Sequence, residues 1–170
     1  VMEEVTAEGK VDFPYIPGLL SFREAPVLIK AFEKVRSIPN VIVFDGQGIA
    51  HPRGVGLASH MGLILDLPSI GCAKSSLVGN YGPLGTEAGE HTPIIFKDDV
   101  VGAVLRTKTN VAPVFVSPGH RMDIPSAIEI VMKICRGYRL PEPTRRAHLS
   151  VNRARASHRS TPSPYQGELF

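Results

Sequence analysis

The residues best suited to catalysis in this sequence are two carboxylates and a lysine. Asp45 directly follows the apolar run 41–44, and Lys74 directly follows the run 69–73. Polar side chains placed after buried strands stand at the C-terminal edge of an open α/β sheet, where such folds bind ligands. Glu24 lies near the start of a predicted helix and could face the same edge. Two carboxylates there would suit Mg²⁺ or Mn²⁺, and Lys74 could reach a phosphate or balance their charge.

Each of these residues also has a simpler explanation. Asp45 begins an Asp-Gly turn, and Lys74 could point into solvent at the end of its strand. Glu24 completes an S-x-x-E capping box with Ser21, which would use its carboxylate at the helix start. Two carboxylates are also few for a metal site that cleaves phosphodiesters, so we expect a further ligand.

Histidines and one aromatic residue add candidates. His51 and His120 lie in Gly/Pro-containing loops, where residues often serve function, whereas His60 lies inside a predicted helix and is expected to be structural. His148 follows two arginines in a basic helix and could act as a general base or contact phosphate. Tyr15 is on a proline-braced tip that could wedge between bases, or simply pack onto its own domain.

Periodicity predicts an α/β domain over residues 1–156 and a disordered Ser/Pro-rich tail over 157–170. The first twelve residues are typical of the end of a strand or hairpin. Strand 41–44 is expected to be buried on both faces and parallel to strand 69–73. The other predicted elements are helices over 21–36, 55–65, 123–135 (capped by Asp123) and 144–156, a loop over 79–89, and hairpin strands over 93–96, 100–107 and 112–117.

Composition excludes several classes of protein. The 170 residues are 43% hydrophobic and 21% charged, as in a globular domain, and no apolar run is long enough to cross a bilayer. Two cysteines exclude a disulfide scaffold, and no Walker A, G-x-G-x-x-G or G-x-S-x-G motif is present. Without a signal segment we expect a cytoplasmic protein. Residues 1–132 carry 11 Lys/Arg and 14 Asp/Glu, whereas 133–170 carry 8 and 2, which favours a polyanionic partner for the C-terminal part or a solvated basic tail.

Five ordered segments resemble the endonuclease V family of repair nucleases. The resemblance extends over almost everything from Asp12 to about Ala156. The segments are Phe-Pro-Tyr-Ile-Pro-Gly-Leu-Leu-Ser-Phe-Arg-Glu (13–24), Val-Phe-Asp-Gly-Gln-Gly-Ile-Ala-His-Pro-Arg (43–53), Ile-Gly-Cys-Ala-Lys-Ser (70–75), Val-Ser-Pro-Gly-His-Arg-Met-Asp (116–123) and Pro-Glu-Pro-Thr-Arg-Arg-Ala-His (141–148).

The resemblance implies a ribonuclease-H-like mixed sheet flanked by helices. It also implies a DNA repair endonuclease that uses Mg²⁺ or Mn²⁺ to hydrolyse the second phosphodiester bond 3′ to deoxyinosine. Glu24 and Asp45 would bind metal, and Lys74 and His148 would complete the catalytic set. The wedge would be Tyr15, Ile16, Pro17 and Gly18; the base pocket would be lined by Gly18, Leu20, Gly46, His51 and Leu77; and Arg53, Arg145 and Arg146 would contact the nucleic acid backbone. We expect inosine-containing DNA, or RNA, as the partner, no membrane, and a monomer.

One family feature has no match. Family members carry an N-terminal strand of the form Gly-Val-Asp-(Val/Leu)-Ser whose aspartate binds metal, so we expect the opening strands and a third ligand to be missing here. Three alternatives therefore accompany the DNA nuclease: an inosine-binding module with impaired catalysis, an inosine-specific endoribonuclease, and an unrelated metal-dependent α/β phosphohydrolase.

Overall fold

A computed structural model describes residues 2–10 and 12–159, which form one six-stranded sheet and four helices. The strands are β1 (Ile42–Phe44), β2 (Ser69–Ala73), β3 (Asn80–Tyr81), β4 (His91–Phe96), β5 (Asp99–Leu105) and β6 (Val114–Pro118). The helices are α1 (Leu20–Phe32), α2 (Leu57–Leu65), α3 (Ile124–Cys135) and α4 (Glu142–Arg159). Apart from the N-terminal strand, the elements predicted from periodicity are present with ends shifted by a few residues, and the short strand β3 falls inside the predicted loop 79–89.

The sheet has the strand order β1-β2-β6-β5-β4-β3 and is mixed, as predicted. β1 pairs in parallel with β2, and all other pairs are antiparallel. β1 lies at an edge of the described sheet, so Ile42 and Val43 are only partly buried. The expectation that this strand is buried on both faces is wrong for these residues, since a strand at the edge of the described sheet is more exposed to solvent than an inner strand.

Two hydrophobic layers hold the sheet between helices and loops. On one face α3 packs Ala127, Val131 and Cys135, spaced four residues apart and therefore on one side of the helix, against β5 and β6. On the other face the loop after β1 inserts Ala50 beside Phe115. Further core residues there are Phe44, Leu57, Ala58 and Met61, which pack against α1. Helix α2 and the loop after β1 thus lie directly on the strands that precede the candidate catalytic residues.

The start of α1 differs from the prediction. No side chain caps the helix, and Ser21 is already helical and buried, so the predicted capping box is wrong. The chain turns earlier, where the Leu19 N–H donates to Ile16 O (3.0 Å), because Pro17 and Gly18 favour a turn. As a result the Glu24 carboxylate is not used for capping. The helix ends at Phe32, and residues 33–35 continue as turns rather than as helix to residue 36.

The N-terminal residues 2–10 contain no strand, which corrects the predicted strand or hairpin end. They run instead along the end of α1 and reach α4. Glu3 accepts hydrogen bonds from the Arg36 N–H (3.0 Å), and Thr6 O accepts one from Lys34 Nζ (2.6 Å). Alternating valines are a weak strand signal, and a strand forms only where a neighbouring strand supplies its hydrogen bonds.

The last two helices agree more closely with the prediction. Asp123 caps α3 by accepting from the Ser126 N–H (2.8 Å), and the helix ends at Arg136 in the left-handed conformation. Helix α4 continues to Arg159, three residues into the segment predicted to be a disordered tail. Residues 160–170 lie outside the described residues. Among residues 2–10 and 12–159 no helix is long and apolar enough to cross a membrane.

Candidate functional site

Asp45 and Lys74 meet at the C-terminal edge of the sheet, as predicted. Parallel pairing of β1 and β2, with Phe44 opposite Gly71, brings the two strand ends side by side. Lys74 Nζ lies 2.6 Å from Asp45 Oδ2, and both side chains are about half exposed, with 44% and 46% of their surface accessible. Both charged groups are therefore accessible from solvent, and an anionic ligand could replace the Asp45 carboxylate as the partner of Lys74.

Glu24 projects from α1 toward the same carboxylate. Its pKa is raised, first because the side chain is partly buried and second because the negative charge of Asp45 is close. Burial and a like charge both disfavour ionisation. The structure therefore places the charge of Glu24 near the Asp45–Lys74 ion pair, and the roles of these three residues stay predictions.

Two buried polar side chains that the sequence reasoning missed hold the loop that begins at Asp45. Gln47 Nε2 donates to Ser75 O (3.0 Å), which links this loop to the residue after Lys74. Ser117 Oγ accepts from the Gly48 N–H (2.7 Å), which binds the loop to β6. Gln47 stands in the D-G-Q-G turn, but no local signal could have identified its partner, since Ser75 lies 28 residues away.

The Pro-Tyr-Ile-Pro-Gly loop projects from the body of the domain, and two arginines hold its ends. Arg23 Nη1 donates to Phe13 O (3.0 Å), and Arg53 Nη1 donates to Gly18 O (2.9 Å). Tyr15 at the tip is 72% exposed and makes no ring contact with its own domain among the described residues. A rigid loop with an exposed aromatic tip has the form that the wedge prediction requires.

His51 lies beneath this loop and is almost fully buried. Its Nδ1 accepts a hydrogen bond from the Arg53 N–H (3.3 Å), so the neutral ring carries its proton on Nε2. Burial lowers the pKa of His51, and the nearby charges of Arg53 and His60 lower it further. A β-carbon on Gly18 would lie 3.9 Å from His51 Cε1, so these two predicted pocket residues are adjacent.

We expect the buried neutral His51 to make the fold sensitive to acid. Because its folded-state pKa is below the ordinary value of 6.5, the unfolded chain takes up the proton first. The stabilisation that comes from the neutral His51 ring is fully present above pH 6.5 and is lost as the pH falls through the folded-state pKa. Urea unfolding at about pH 7.5 and 5.5 should therefore show a smaller loss of stability in His51→Asn than in the unaltered chain. His91→Asn, at an exposed position, is the control. Equal pH dependence in His51→Asn and the unaltered chain would contradict this prediction.

His148 and the two arginines of α4 are placed differently from Asp45 and Lys74. His148 is exposed, and among the described residues no hydrogen bond or ion pair joins it to another side chain. Arg145 and Arg146 both bind Glu142, with Nε–oxygen distances of 2.8 and 2.6 Å. In the part of the chain that the structure describes, no three His, Cys, Asp or Glu side chains gather closely enough to hold a metal. His148 is thus on the helix that packs against β1 but outside the carboxylate pair.

The remaining predicted residues lie around this edge. Gly46 follows Asp45 and packs beside Leu57, while Ile16 and Pro17 share the exposed loop with Tyr15. Leu20 and Leu77 are about half exposed, at the start of α1 and just after β2. Their contact with a base stays a prediction. His120 is at the other end of the sheet, where its Nε2 lies 3.1 Å from Asp66 Oδ1, and it takes no part in this site.

Comparison with known proteins relates the chain to one family. The family model described as Endonuclease V matches residues 1–149. An endonuclease V of Gloeobacter violaceus is 53% identical over 156 residues, which is 91% of this chain and 63% of that protein. The chain therefore spans less than two thirds of the length of this relative.

Solved structures give the same result. The crystal structure of endonuclease V from Streptomyces avermitilis superposes with a TM-score of 0.84 at 44% identity and covers 89% of this chain and 67% of that one. Endonuclease V of Ciona intestinalis, solved in complex with a 24mer DNA containing an inosine followed by a ribo-adenosine, has a TM-score of 0.76 at 27% identity, covering 88% and 71%. The ribonuclease-H-like fold predicted from the sequence is confirmed by these neighbours.

Proposed function

We propose that this chain, which belongs to the endonuclease V family, hydrolyses a phosphodiester bond in nucleic acid that contains inosine. The observation that carries the proposal is the Asp45–Lys74 pair at the strand ends, with Glu24 beside it. The complex of the Ciona relative with inosine-containing DNA supports the choice of substrate. The bond we propose is the second one 3′ to the inosine.

A divalent cation, Mg²⁺ or Mn²⁺, fits the donors present at this edge. Glu24 and Asp45 offer oxygen ligands, and a bound cation would stabilise the ionised form of Glu24, whose pKa is raised by partial burial and then by the charge of Asp45. These two residues would hold the ion. When bound, it would polarise the phosphate and make an attacking water more acidic.

The side chains of the protein account for the other steps. Lys74 would leave its ion pair with Asp45 and bind a non-bridging oxygen of the scissile phosphate. Its positive charge would offset the negative charge that builds up on that oxygen. His148 would position the water or accept its proton. Arg53 and Arg146 would contact neighbouring phosphates, since both guanidinium groups reach the surface.

Recognition would depend on the loop that Arg23 and Arg53 hold in place. Tyr15 and Ile16 would enter the base stack while the inosine base turns out toward Gly18, Gly46 and His51, with Leu20 and Leu77 at the rim. Extrusion costs a few kcal/mol and less at a weakened pair, which favours a damaged base over a normal one. The exposed tip therefore contributes to selectivity as well as affinity.

A second candidate function is inosine binding without cleavage. It is favoured by the finding that only two carboxylates converge in the described part of the chain, fewer than a phosphodiester-cleaving metal site usually has. The wedge loop and His51 do not depend on a metal, so recognition could persist without hydrolysis. Cleavage of RNA is a further variant of the first proposal.

The deciding experiment uses end-labelled duplexes that are identical except for inosine or adenine at one position. The chain is incubated with Mg²⁺, Mn²⁺ or EDTA, and binding to the same duplexes is measured by gel shift. We expect inosine-selective, metal-dependent nicking at the second bond 3′ to the inosine, and an inosine-containing RNA strand tests the sugar preference in parallel.

The other outcomes separate the candidates. Selective binding without a cut under any metal condition would favour the binding module, and equal behaviour toward inosine and adenine would contradict both functions. The monomeric state and the cytoplasmic location expected from the sequence stay predictions.

A further inference from the structure

Tyr138 and Arg145 form a stacked pair at the junction of α3 and α4. The guanidinium carbon of Arg145 lies 4.2 Å from the centroid of the Tyr138 ring, within the range of a cation–π contact. Glu142 also holds this arginine, accepting from Nε at 2.8 Å and from Nη2 at 3.0 Å. The orientation of the pair is thus set before any ligand arrives.

The chain segment that carries Tyr138 is bound to the strand end that carries Lys74. Arg139, which follows Tyr138, donates from Nη2 to Lys74 O (3.2 Å) and to Pro113 O (2.8 Å). This anchors the segment that carries Tyr138 to the end of β2. Arg145 and His148 are three residues apart in α4 and therefore share one face of the helix.

Exposure and charge indicate what the pair could bind. Tyr138 is 50% exposed, and within the described side chains and backbone its hydroxyl makes no hydrogen bond. Glu142 accepts from both Arg145 and Arg146, and these bonds lower its pKa to about 2, so it stays ionised and balances part of their charge. Because Glu142 already balances the charge of Arg145, the exposed Tyr138 ring suits a flat neutral group better than a phosphate.

We propose that the Tyr138–Arg145 pair is a stacking platform for an unpaired nucleobase of a single-stranded segment beside the cleavage site. A π-face is common to every base, so the contact would be tolerant of sequence. The placement of this base rests on the proposed function, because that function puts the strand at Asp45 and Lys74. The platform assigns Arg145 a different role from the backbone contact expected from the sequence.

The test measures the affinity of the chain for a single-stranded oligonucleotide with one inosine, by fluorescence anisotropy in EDTA. We expect Tyr138→Leu to weaken binding about 10-fold and Tyr138→Phe to stay within about twofold, since phenylalanine keeps the ring. Tyr81→Leu is the matched control, because Tyr81 is similarly exposed but lies in β3, at the opposite edge of the sheet from β1, and contacts Phe115. Thermal unfolding of each variant verifies that it is folded.

A second series changes the DNA and leaves the chain unaltered. Nucleotides 3′ to the inosine are replaced one at a time by an abasic residue. We expect one position at which this change lowers the affinity of the unaltered chain about 10-fold but does not lower the affinity of Tyr138→Leu any further. Equal losses for both proteins at every position, or unchanged affinity of Tyr138→Leu, would overturn the platform. Lack of preference for inosine over adenine by the unaltered chain would instead contradict the proposed function, and the Tyr138 comparison would still decide the inference.

Discussion

Replacing Asp45 with asparagine is expected to lower the rate of inosine-dependent nicking by about 1,000-fold or more. The substitution keeps the shape of the side chain but removes the charge that would bind a divalent cation together with Glu24. Loss of several kcal/mol of charge stabilisation in the transition state corresponds to this factor, because each 1.36 kcal/mol changes a rate tenfold. Single-turnover nicking of the labelled inosine duplex measures the effect.

Binding and folding should survive the same substitution. The amide oxygen of asparagine can still accept from Lys74 Nζ, and removal of a negative charge beside the phosphate should leave affinity equal or higher. Asp66→Asn is the matched control: it removes an ion pair with Arg121 at the opposite end of the strands, at a left-handed position that asparagine tolerates. Undiminished cleavage by Asp45→Asn, or an equal loss in Asp66→Asn, would contradict the assignment.

Gly71→Ala is expected to destabilise the fold by about 3 kcal/mol, through the loop that presents Asp45. A β-carbon at Gly71 would lie 2.6 Å from Gln47 C and 2.7 Å from Gly46 O. Real β-carbons do not approach backbone atoms this closely, so the loop would have to move away from β2. For a chain of this size the loss corresponds to a decrease in Tm of about 6–12 °C.

Gly82→Ala provides the comparison for this prediction. The nearest atom to a β-carbon at Gly82 is Thr92 Oγ1 at 3.4 Å, an ordinary contact in an exposed part of the chain. This variant should change the unfolding free energy by less than about 0.5 kcal/mol. Urea unfolding followed by circular dichroism measures both variants. If Gly71→Ala were as stable as Gly82→Ala, the loop after β1 would not be seated on β2 as described.

Signals confined to a few neighbouring residues predicted much of the site. Asp45 and Lys74 were identified because each follows an apolar run, and a residue after a strand must lie at that strand's end. The Asp123 cap was confirmed for a similar reason, since donor and acceptor are three residues apart. The Ser21–Glu24 capping box was wrong because the turn at Pro17 and Gly18 places the N-cap at Leu19, two residues before Ser21, which then lies inside the helix.

Contacts between distant segments were not predictable in this way. Gln47 binding to Ser75, Arg53 binding to Gly18, and Arg139 binding to Lys74 each join residues at least 28 positions apart. Nothing in the local pattern around any of them indicates which carbonyl will be near.

The order of residues along the chain was enough to specify the kinds of groups present, the elements that carry them and the family to which they belong. These follow from periodicity, turn chemistry and motif, all of which act over short separations. Parallel pairing of β1 with β2 was needed to bring Asp45 within 2.6 Å of Lys74, and packing of the loop after β1 was needed to bury His51. Distance and burial depend on which surfaces meet, and that is settled only when the whole chain minimises its exposed apolar area and pairs its backbone groups.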